Sequence, residues 1–580
     1  MNIFRISCLI TALTFSGLCV AQLNPELVFG SFLGGTGDEI AFRNTLDKSA
    51  DGLLGFVGST SSTFMLSTQD AYQSQLQGSL NRFIVILDSD GQSIYRSYFG
   101  GGAESGGGFA FTPDNGFVIG GNSTSASFPT TPGAYQVEFL QNDPGQGSRM
   151  GTLSKFDPDY QLEWSTYLGG HGQDAINDVV TDAFGNIYVS GATFNEGLAT
   201  TGAHQESLNV LGQWAPFIAK FGPSGQLLYL TYFQGNGFTD IGKIQLSNQE
   251  NSLFVCGSTS AESGIAMGGI QDVYAGGATD GFLARFSTED LSLEWSRYIG
   301  GDQTDGAHTM DVGDDDQIAI VLYTTSLSGL ATPGAHSEVP AIDSGDILDG
   351  PNLMLMSLSG QGEINWATYY GASPPVAQNT SISILESAVL IGGPSNMDSG
   401  IATENAMEDE LNPGNGRFFA KFGLAEGNLE WGTYFGMNGQ AFFYDIAYID
   451  DGRFMAIGTA GTPNDYITSG AFQSVFGGGL SDFYYAIFEE NTLSSGHHMD
   501  EGFLQLFPNP ASQWLRVIAP DQPGRSQVIE IYDMSGRLLL QELSYTGGSA
   551  LSIGHLPSGL YLVQLKDGER QYRQRLLISH

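Results

Sequence analysis

Short runs of alternating apolar and polar residues, each ending near glycine, recur along most of the chain. One copy is Trp164-Ser165-Thr166-Tyr167-Leu168-Gly169-Gly170. The aromatic residue of this run recurs at Phe32, Tyr98, Tyr167, Tyr232, Tyr298, Tyr369 and Tyr434, and subtraction gives spacings of 66, 69, 65, 66, 71 and 65 residues. Alternation with a period of two is typical of β-strands, and a steady spacing indicates one structural unit used repeatedly.

One repeat can be divided into four short strands. A Gly/Asn turn separates the apolar runs 174–180 and 187–191, so a hairpin is expected there. A longer polar connection leads to further strands at 217–221 and 227–233. Repeated four-stranded antiparallel sheets are the blades of a β-propeller. The sequence therefore predicts an all-β chain whose residues 22–488 form a seven-bladed propeller with blades of about 66 residues.

The two ends of this repeat region are complementary. A copy of the fourth strand, residues 27–33, precedes the first complete set, whereas the last set ends at 483–488 without a fourth strand. Unpaired strand edges are unfavourable, so we expect these two segments to pair. The N-terminal strand would then close the last blade.

Four recurring motifs carry a resemblance to a known family. They are Thr166 to Gly170, Gly185 to Gly191, Thr131 to Tyr135 and Phe217 to Phe221. In order and type they resemble the bacterial SBBP β-propeller repeat. The sixth unit departs from the pattern, since Tyr370-Gly371-Ala372 replaces the double glycine and Thr403 to Met407 replaces the loop motif.

The pattern changes after a polar linker at 489–502. Residues 503–580 contain several short apolar runs separated by turns, which predicts a small Ig-like β-sandwich. Its motifs resemble the type A sorting domain of the type IX secretion system of Bacteroidota. The residues that carry this resemblance are Pro508, Asn509, Pro510, Tyr532, Asp533, Gly536, Arg537, Gly559 and Tyr561. The resemblance implies binding to the type IX machinery and export, followed by release or by attachment to the cell surface. A simple binding module is the alternative.

The N-terminus indicates entry into the secretory route. Arg5 precedes the apolar run Ile6 to Val20, and Ala21 provides a small residue for cleavage. We therefore expect residues 1–21 to be a signal peptide. A membrane anchor is the alternative, but the run is short and contains polar residues, whereas a span needs about 20 apolar ones. With the signal removed, Cys256 is the only cysteine, so no intramolecular disulfide can form. No transmembrane span is expected in the rest of the sequence.

Charge excludes one class of partner. Asp and Glu number 62 against 21 Lys and Arg, which gives a formal net charge of −41. Nucleic acid is not an expected partner, because binding the phosphate backbone needs a basic surface.

Acidic residues recur shortly after the glycine turn of five repeats. They are Asp38, Glu104, Asp174, Asp240 and Asp305. If the chain crosses between blades near the central axis, these carboxylates converge and could hold a hard cation such as calcium. The alternative is that each one accepts backbone N–H groups of its own turn.

No catalytic residue and no organic cofactor can be assigned from the sequence. His204 and His336 stand where sister loops carry aromatic residues, which favours packing. Tyr72, Tyr135 and Tyr274 are candidate ligand contacts, with packing against a blade edge as the alternative. The leading hypothesis is a secreted or surface-attached, non-enzymatic propeller that binds a glycan, protein or matrix partner. A secreted polysaccharide hydrolase or lyase and a structural surface or adhesion component are the alternatives.

Overall fold

A computed structural model describes most of the chain in two compact units, divided between residues 491 and 492. The described residues are 24–63, 67–140, 147–268, 271–342, 350–372, 380–404, 406–411, 416–436, 441–450, 452–461, 466–490, 505–507, 511–518, 526–533, 537–546, 550–567 and 570–578. Across these ranges, β-strands are the only regular secondary structure.

The described part of the first unit forms seven antiparallel sheets. The chain begins with β1 (Pro25–Leu33). The first sheet contains β2 (Glu39–Lys48), β3 (Leu54–Thr60), β4 (Asn81–Leu87) and β5 (Ser93–Phe99). The second contains β6 (Glu104–Ser105), β7 (Phe109–Phe111), β8 (Phe117–Ser123), β9 (Met150–Phe156) and β10 (Leu162–Leu168). The third contains β11 (Asp174–Thr181), β12 (Ile187–Thr193), β13 (Ala215–Phe221) and β14 (Leu227–Tyr232).

The remaining sheets of this unit continue in chain order. The fourth contains β15 (Thr239–Leu246), β16 (Ser252–Thr259), β17 (Asp280–Ser287) and β18 (Leu293–Ile299). The fifth contains β19 (Asp305–Val312), β20 (Ile318–Thr324), β21 (Asn352–Leu358) and β22 (Ile364–Ala372). The sixth contains β23 (Ser381–Leu385), β24 (Ala388–Pro394), β25 (Arg417–Gly423) and β26 (Leu429–Phe435). The seventh contains β27 (Ala441–Asp450), β28 (Arg453–Ala460) and β29 (Asp482–Glu490).

The fourth strand of the seventh sheet is β1. It pairs with β29 in antiparallel register, from Pro25 opposite Glu490 to Leu33 opposite Phe483. The expected pairing of the N-terminal strand with the last strand of the repeat region is therefore present. Phe32 of β1 and Tyr484 of β29 are both buried, so the closure contributes to the core as well as to the hydrogen-bond ladder.

The first strands of successive sheets contact one another in a closed cycle. The cycle runs through β2, β7, β11, β15, β19, β23 and β27, and β27 contacts β2 again. Apolar side chains fill the space between neighbouring sheets. One core cluster, for example, combines Phe83 and Val85 of the first sheet with Met455 and Ile457 of the seventh.

The two ends of each sheet carry different kinds of connection. In the third sheet, the tight turns at 182–186 and 222–225 lie at one end, which we call the turn face. The long connection 194–214 and the crossing from the previous sheet at 169–173 lie at the other end, which we call the junction face. This division follows from antiparallel pairing of consecutive strands.

The recurring tyrosine fixes the long connection to the sheet. Tyr167, Tyr232 and Tyr369 are buried, and their hydroxyls donate to carbonyl oxygens of Ser125, Asn195 and Ser326 at 2.7, 2.8 and 2.8 Å. A buried phenol needs such a partner, which explains why tyrosine recurs in this position.

The described part of the second unit contains two sheets. One is formed by β30 (Gln505–Phe507), β31 (Trp514–Ile518) and β34 (Ala550–Ser552), and the other by β32 (Ser526–Asp533), β33 (Leu538–Thr546), β35 (Gly559–Asp567) and β36 (Arg570–Ile578). Leu515 and Val517 of one sheet share a core with Ile529 and Val563 of the other.

The described residues include no helical segment with the length and hydropathy that crossing a bilayer requires.

Candidate functional site

A polar cavity of about 500 Å³ opens at the turn face of the first four sheets. The ends of β2, β7, β11 and β15 and the turns that follow them line it. Its polar and charged lining residues include Lys48, Asp182, Lys243, Gln245, Asn248 and Glu250. A cavity of this size is within the range that accommodates a small ligand or one unit of a polymer.

Buried aspartates on the first strands tie neighbouring sheets together. Asp178 Oδ2 accepts the N–H of Ile244 at 2.8 Å, and Asp311 Oδ2 accepts that of Ile384 at 2.7 Å. The matching bond in the first sheet joins Asp47 Oδ2 to the N–H of Phe111 at 2.8 Å. Each carboxylate thus binds the backbone of the next sheet.

Burial changes the acidity of these aspartates. It raises the pKa of Asp178 to about 6, and Lys243 acts in the opposite direction. It also raises the pKa of Asp311 to about 6, while the N–H groups of Ile384 and Val312 act in the opposite direction. Because their oxygens are occupied by backbone donors, these carboxyl groups are anchors rather than free acid–base groups.

A wide bulge in β2 lies across the space that the first strands enclose. The register of β2 against β3 shifts between Ala41 and Leu46. Within this bulge, Asn44 Nδ2 donates to Gly242 O of the fourth sheet at 3.1 Å. Arg43 Nη1 lies 3.4 Å from His308 Nδ1 of the fifth sheet. Burial lowers the pKa of His308 to about 3, so its ring is neutral at physiological pH.

Phe184 is an exposed aromatic residue on a turn that lines the cavity through Asp182 and Ala183. Its exposed fraction is 82%, and the adjacent Ala183 lines the cavity. Asp182 holds the turn in place, because its Oδ1 accepts the N–H groups of Phe184 and Asn186 at 3.0 and 2.8 Å. The Ala183 N–H also donates to Glu250 Oε2 of the fourth sheet at 2.8 Å. The turn that carries the Phe184 ring is therefore held by hydrogen bonds that Asp182 and Glu250 accept from its backbone.

The acidic residues predicted to surround a cation lie at separate crossings. Asp174 accepts the N–H of Gly170 at 3.0 Å, Glu104 accepts that of Gly101 at 3.0 Å, and Asp305 accepts that of Gly301 at 2.7 Å. Asp38 accepts the N–H of Leu480 at 2.6 Å. Burial raises the pKa of Asp240, and nearby Arg43 lowers it.

The contacts of Glu104, Asp174 and Asp305 favour the turn-capping interpretation, whereas Asp38 accepts an N–H from the long connection of the seventh sheet. Within the described ranges, no three His, Cys, Asp or Glu side chains are grouped closely enough to hold a metal ion. A cation bound by these five carboxylates therefore stays a prediction, and the described residues show no set of ligands for it.

The loop aromatics and histidines pack against other rings. Tyr72 contacts Phe156, Tyr135 contacts Phe221 and His204 contacts Phe286, with ring centroids 5.7, 6.2 and 6.1 Å apart. In each of these pairs the partner belongs to the next sheet. His336 contacts Phe422 of the next sheet at 6.1 Å, and Tyr274 contacts Tyr298 of its own sheet at 5.9 Å. These positions serve packing between strands and sheets.

A glutamine that the sequence analysis missed follows this loop position. The side-chain oxygens of Gln73, Gln136 and Gln473 accept the N–H groups of Gly100, Gly169 and Gly34 at 3.1, 3.2 and 2.9 Å. The bonds connect the long loop to the glycine turn of the outer strand. The signal was present in the sequence, since Gln recurs directly after the aromatic residue in several loops.

Part of the predicted sorting motif lies in described strands. Tyr532 donates to Glu530 Oε2 at 2.6 Å, and Tyr561 donates to Pro557 O at 2.7 Å. Asp533, at the end of β32, stands opposite Tyr561 on β35. Gly559 begins β35, and Arg537 directly precedes β33. Pro508, Asn509, Pro510 and Gly536 lie outside the described residues, as do the predicted signal peptide and residues 491–502 of the predicted linker. Glu489 and Glu490, which were assigned to the linker, instead end β29.

Comparison with known families gives two matches. Residues 505–579 match a secretion system C-terminal sorting domain. Residues 163–195 match the SBBP β-propeller repeat. No curated protein shows significant similarity to the chain.

Several solved structures match the chain at low identity and low TM-score. A protein of unknown function from Dyadobacter fermentans is 9% identical with a TM-score of 0.38, and the match covers 81% of this chain and 100% of that one. The β-propeller domain of the trilobed protease from Pyrococcus furiosus is 7% identical with a TM-score of 0.33, covering 82% and 95%. A PL25 ulvan lyase is 10% identical with a TM-score of 0.37, covering 75% and 93%. Such distant likeness carries no conclusion about ligand or reaction.

Proposed function

Because the chain is an SBBP-type β-propeller repeat protein with a type IX sorting domain, and is thus secreted or attached to the cell surface, we propose that it binds an extracellular glycan. The binding site is the cavity at the turn face together with Phe184. The propeller is a non-enzymatic receptor, and the sorting domain binds the type IX machinery during export.

The proposed architecture is a closed ring of seven blades. The seven sheets, the cycle of contacts between their first strands and the β1–β29 pairing support it. In this proposal residues 1–21 are removed as a signal peptide, and residues 491–502, which follow β29, link the propeller to the sorting domain. An Ig-like arrangement of the two C-terminal sheets and an origin in Bacteroidota stay predictions.

The observation that carries the glycan proposal is an exposed ring on a turn whose residues Asp182 and Ala183 line a polar cavity. A sugar presents a face of C–H groups and a rim of hydroxyls, so an aromatic platform next to polar groups matches both parts. The corresponding turns of the first, second and fifth sheets carry Asp51, Asp114 and Asp315 instead of an aromatic residue. Packing does not explain Phe184, because most of its surface is exposed.

Anchoring of the buried aspartates supports binding without turnover. Acid–base catalysis on a glycoside needs a pair of carboxyl groups free to reach the substrate. Asp178 and Asp311 each accept two backbone N–H groups instead.

A glycan array with product analysis tests the proposal and its alternatives. The exported chain is applied to the array, and bound glycans are then incubated with it in solution. Retention without new reducing ends or unsaturated products supports the receptor. New chain ends identify a hydrolase or lyase, and absence of both binding and turnover favours a structural or adhesion role.

A further inference from the structure

At the junction face, the residue type at one structural position differs among the sheets: it is asparagine in the first sheet and aspartate in the fourth and seventh. In the first, fourth and seventh sheets, the first residue of the strand that follows the long connection lies close to the first residue of the next sheet's first strand. In the first sheet this residue is Asn81, whose Nδ2 donates to Glu104 Oε2 of the second sheet at 3.0 Å. A neutral amide thus fits against a buried carboxylate at this place.

Two other junctions have an aspartate where Asn81 stands. Asp280 begins β17 and Asp482 begins β29, and the strand registers show that both occupy the same position as Asn81. The residues that face them, Asp305 and Glu39, begin β19 and β2. Each of these junctions therefore sets two carboxyl groups against each other.

The paired carboxyl oxygens border the same small space. A Cβ atom placed on Gly300 would lie 2.5 Å from Asp280 Oδ1 and 3.1 Å from Asp305 Oδ2. A Cβ atom on Gly34 would meet Asp482 Oδ1 and would lie 2.6 Å from Glu39 Oε2. All four acidic residues have an exposed fraction of 0%.

The hydrogen bonds of these residues leave one oxygen of each aspartate unpaired. Asp280 Oδ2 accepts the N–H of Ala275 at 2.5 Å, and Asp482 Oδ2 accepts the N–H of Gly477. Asp280 Oδ1 and Asp482 Oδ1 have no hydrogen-bond partner within the described residues. The ion pairs found there involve none of the four carboxyl groups.

The other titratable groups near the two pairs are acids or phenols. Tyr274, Tyr298, Glu262 and Asp302 lie near the Asp280–Asp305 pair. Tyr98 lies near Glu39, and Asp38 directly precedes Glu39 in the chain. None of these groups supplies a positive charge. Two ionised carboxylates side by side in a buried place are unfavourable without a positive charge or a proton.

We propose that the Asp280–Asp305 and Glu39–Asp482 pairs each bind one proton from solvent and share it across the junction as an O–H···O⁻ hydrogen bond. The protonated aspartate then takes the place that the Asn81 amide takes at the first junction. Loss of the proton leaves two facing carboxylates, which weakens the contact between the fourth and fifth sheets and the contact that closes the ring.

The direction of the acidity changes agrees with this geometry. Burial, together with the nearby Asp305 carboxyl, raises the pKa of Asp280 to about 7. Burial raises the pKa of Glu39 to about 7 and that of Asp482 to about 6. An acid whose pKa is raised on folding stabilises the fold while it is protonated. Its contribution is therefore fully present below the ordinary pKa values of 3.8 and 4.5, and it is lost progressively as the pH rises from there to about 7.

Asparagine substitutions test the shared proton. The double variant Asp280→Asn, Asp482→Asn should form two junctions of the Asn81 type. In the full exported chain, we expect its propeller melting temperature at about pH 8 to exceed that of the wild type by roughly 2 °C, with a smaller difference at about pH 5. An equal or lower melting temperature at the higher pH, in a variant that folds normally at the lower pH, would overturn the proposal.

The reverse substitution is the matched control. Asn81→Asp places a third carboxyl pair against Glu104, so it should lower the melting temperature at about pH 8 more than at about pH 5. Infrared spectra give a readout independent of stability. The carbonyl band of protonated carboxylic acids should persist near pH 6 in the wild type and weaken in the double asparagine variant, and an unchanged band would contradict the proposal.

Calcium separates a shared proton from a bound cation. If calcium chloride raises the wild-type melting temperature at the higher pH, and Asp280→Asn abolishes that rise, then the pair binds a cation and the shared-proton proposal is wrong. Equal melting in calcium chloride and in EDTA supports the proton. Neither outcome depends on whether the propeller binds a glycan.

Discussion

At Asp445, one carboxylate connects three sheets. Its Oδ2 accepts the N–H groups of Thr45 and Leu46 of the first sheet at 2.9 and 3.1 Å, and its Oδ1 accepts the hydroxyl of Ser381 of the sixth sheet at 2.7 Å. A sequence pattern shows that such an acid stands in a strand. The pattern does not show which donors the carboxylate binds, because Ser381 and Thr45 lie 64 and 400 residues away in the sequence.

We predict that Asp445→Asn destabilises the propeller by about 1 to 3 kcal/mol, because the new amide NH₂ group faces donors that have lost an acceptor. Chemical denaturation of the exported chain measures the loss. The control is Asp159→Asn on an exposed turn, which should change the unfolding free energy by less than about 0.5 kcal/mol. Equal effects of the two substitutions would contradict the anchoring role of Asp445.

The same limit applies to the acidic residues that follow the glycine turns. The sequence shows that these carboxylates recur. It does not show whether they converge, because that depends on the end of the sheet at which the chain crosses to the next sheet. Asp174 begins β11 at the junction face, where Thr193 and Asn195 also donate to it at 2.5 and 2.8 Å. Thr193 and Asn195 thus occupy carboxylate lone pairs of Asp174 that a cation would need. The sequence alone does not show which of these partners Asp174 binds.

Among the elements, strand positions were the most predictable feature. The four strands expected in the third repeat agree with β11 to β14 to within two residues at each end. Alternation and turn residues are local, so they can be read from the sequence. The wide bulge at 42–45 was missed because its partners, Gly242 and His308, lie in other sheets.

The sixth repeat differs in structure where it differs in sequence. Its first strand, β23, has five residues, whereas β11 has eight. Residues 373–379, which replace the end of the glycine turn, lie outside the described ranges.

Deletion of residues 25–33 tests the role of β1. We expect the melting temperature to fall sharply, because β29 loses its ladder partner and the core loses Phe29, Phe32 and Leu33. Differential scanning calorimetry of the exported chain with and without these residues measures the effect. An unchanged propeller transition would refute closure by the N-terminal strand.

At the scale of the whole molecule, fold and export could be inferred from repeats and motifs, whereas the ligand could not. Repeats reveal a supersecondary unit because each copy must bury the same face. A binding site needs no repetition, and Phe184 is a departure from the pattern rather than part of it. Its position beside the cavity required the coordinates.

Removal of residues 503–580 should separate folding from export. Because residues 505–579 match the sorting domain, the truncated chain should accumulate inside the cell. Its propeller should still fold, since the chain divides into compact units between 491 and 492. Cell fractionation followed by calorimetry of the retained protein checks both points. Normal secretion of the truncated chain would contradict the export function of this domain.

Calorimetric titration of a glycan selected on the array is the most direct test of the proposed function. Phe184→Ala should weaken binding by about 1 to 3 kcal/mol, which is at least a fivefold rise in Kd. The matched control is Leu480→Ala, which removes a side chain with an exposed fraction of 80% at the junction face and should leave Kd unchanged. Unchanged affinity in Phe184→Ala, or equal losses in both variants, would contradict a glycan site at the turn face.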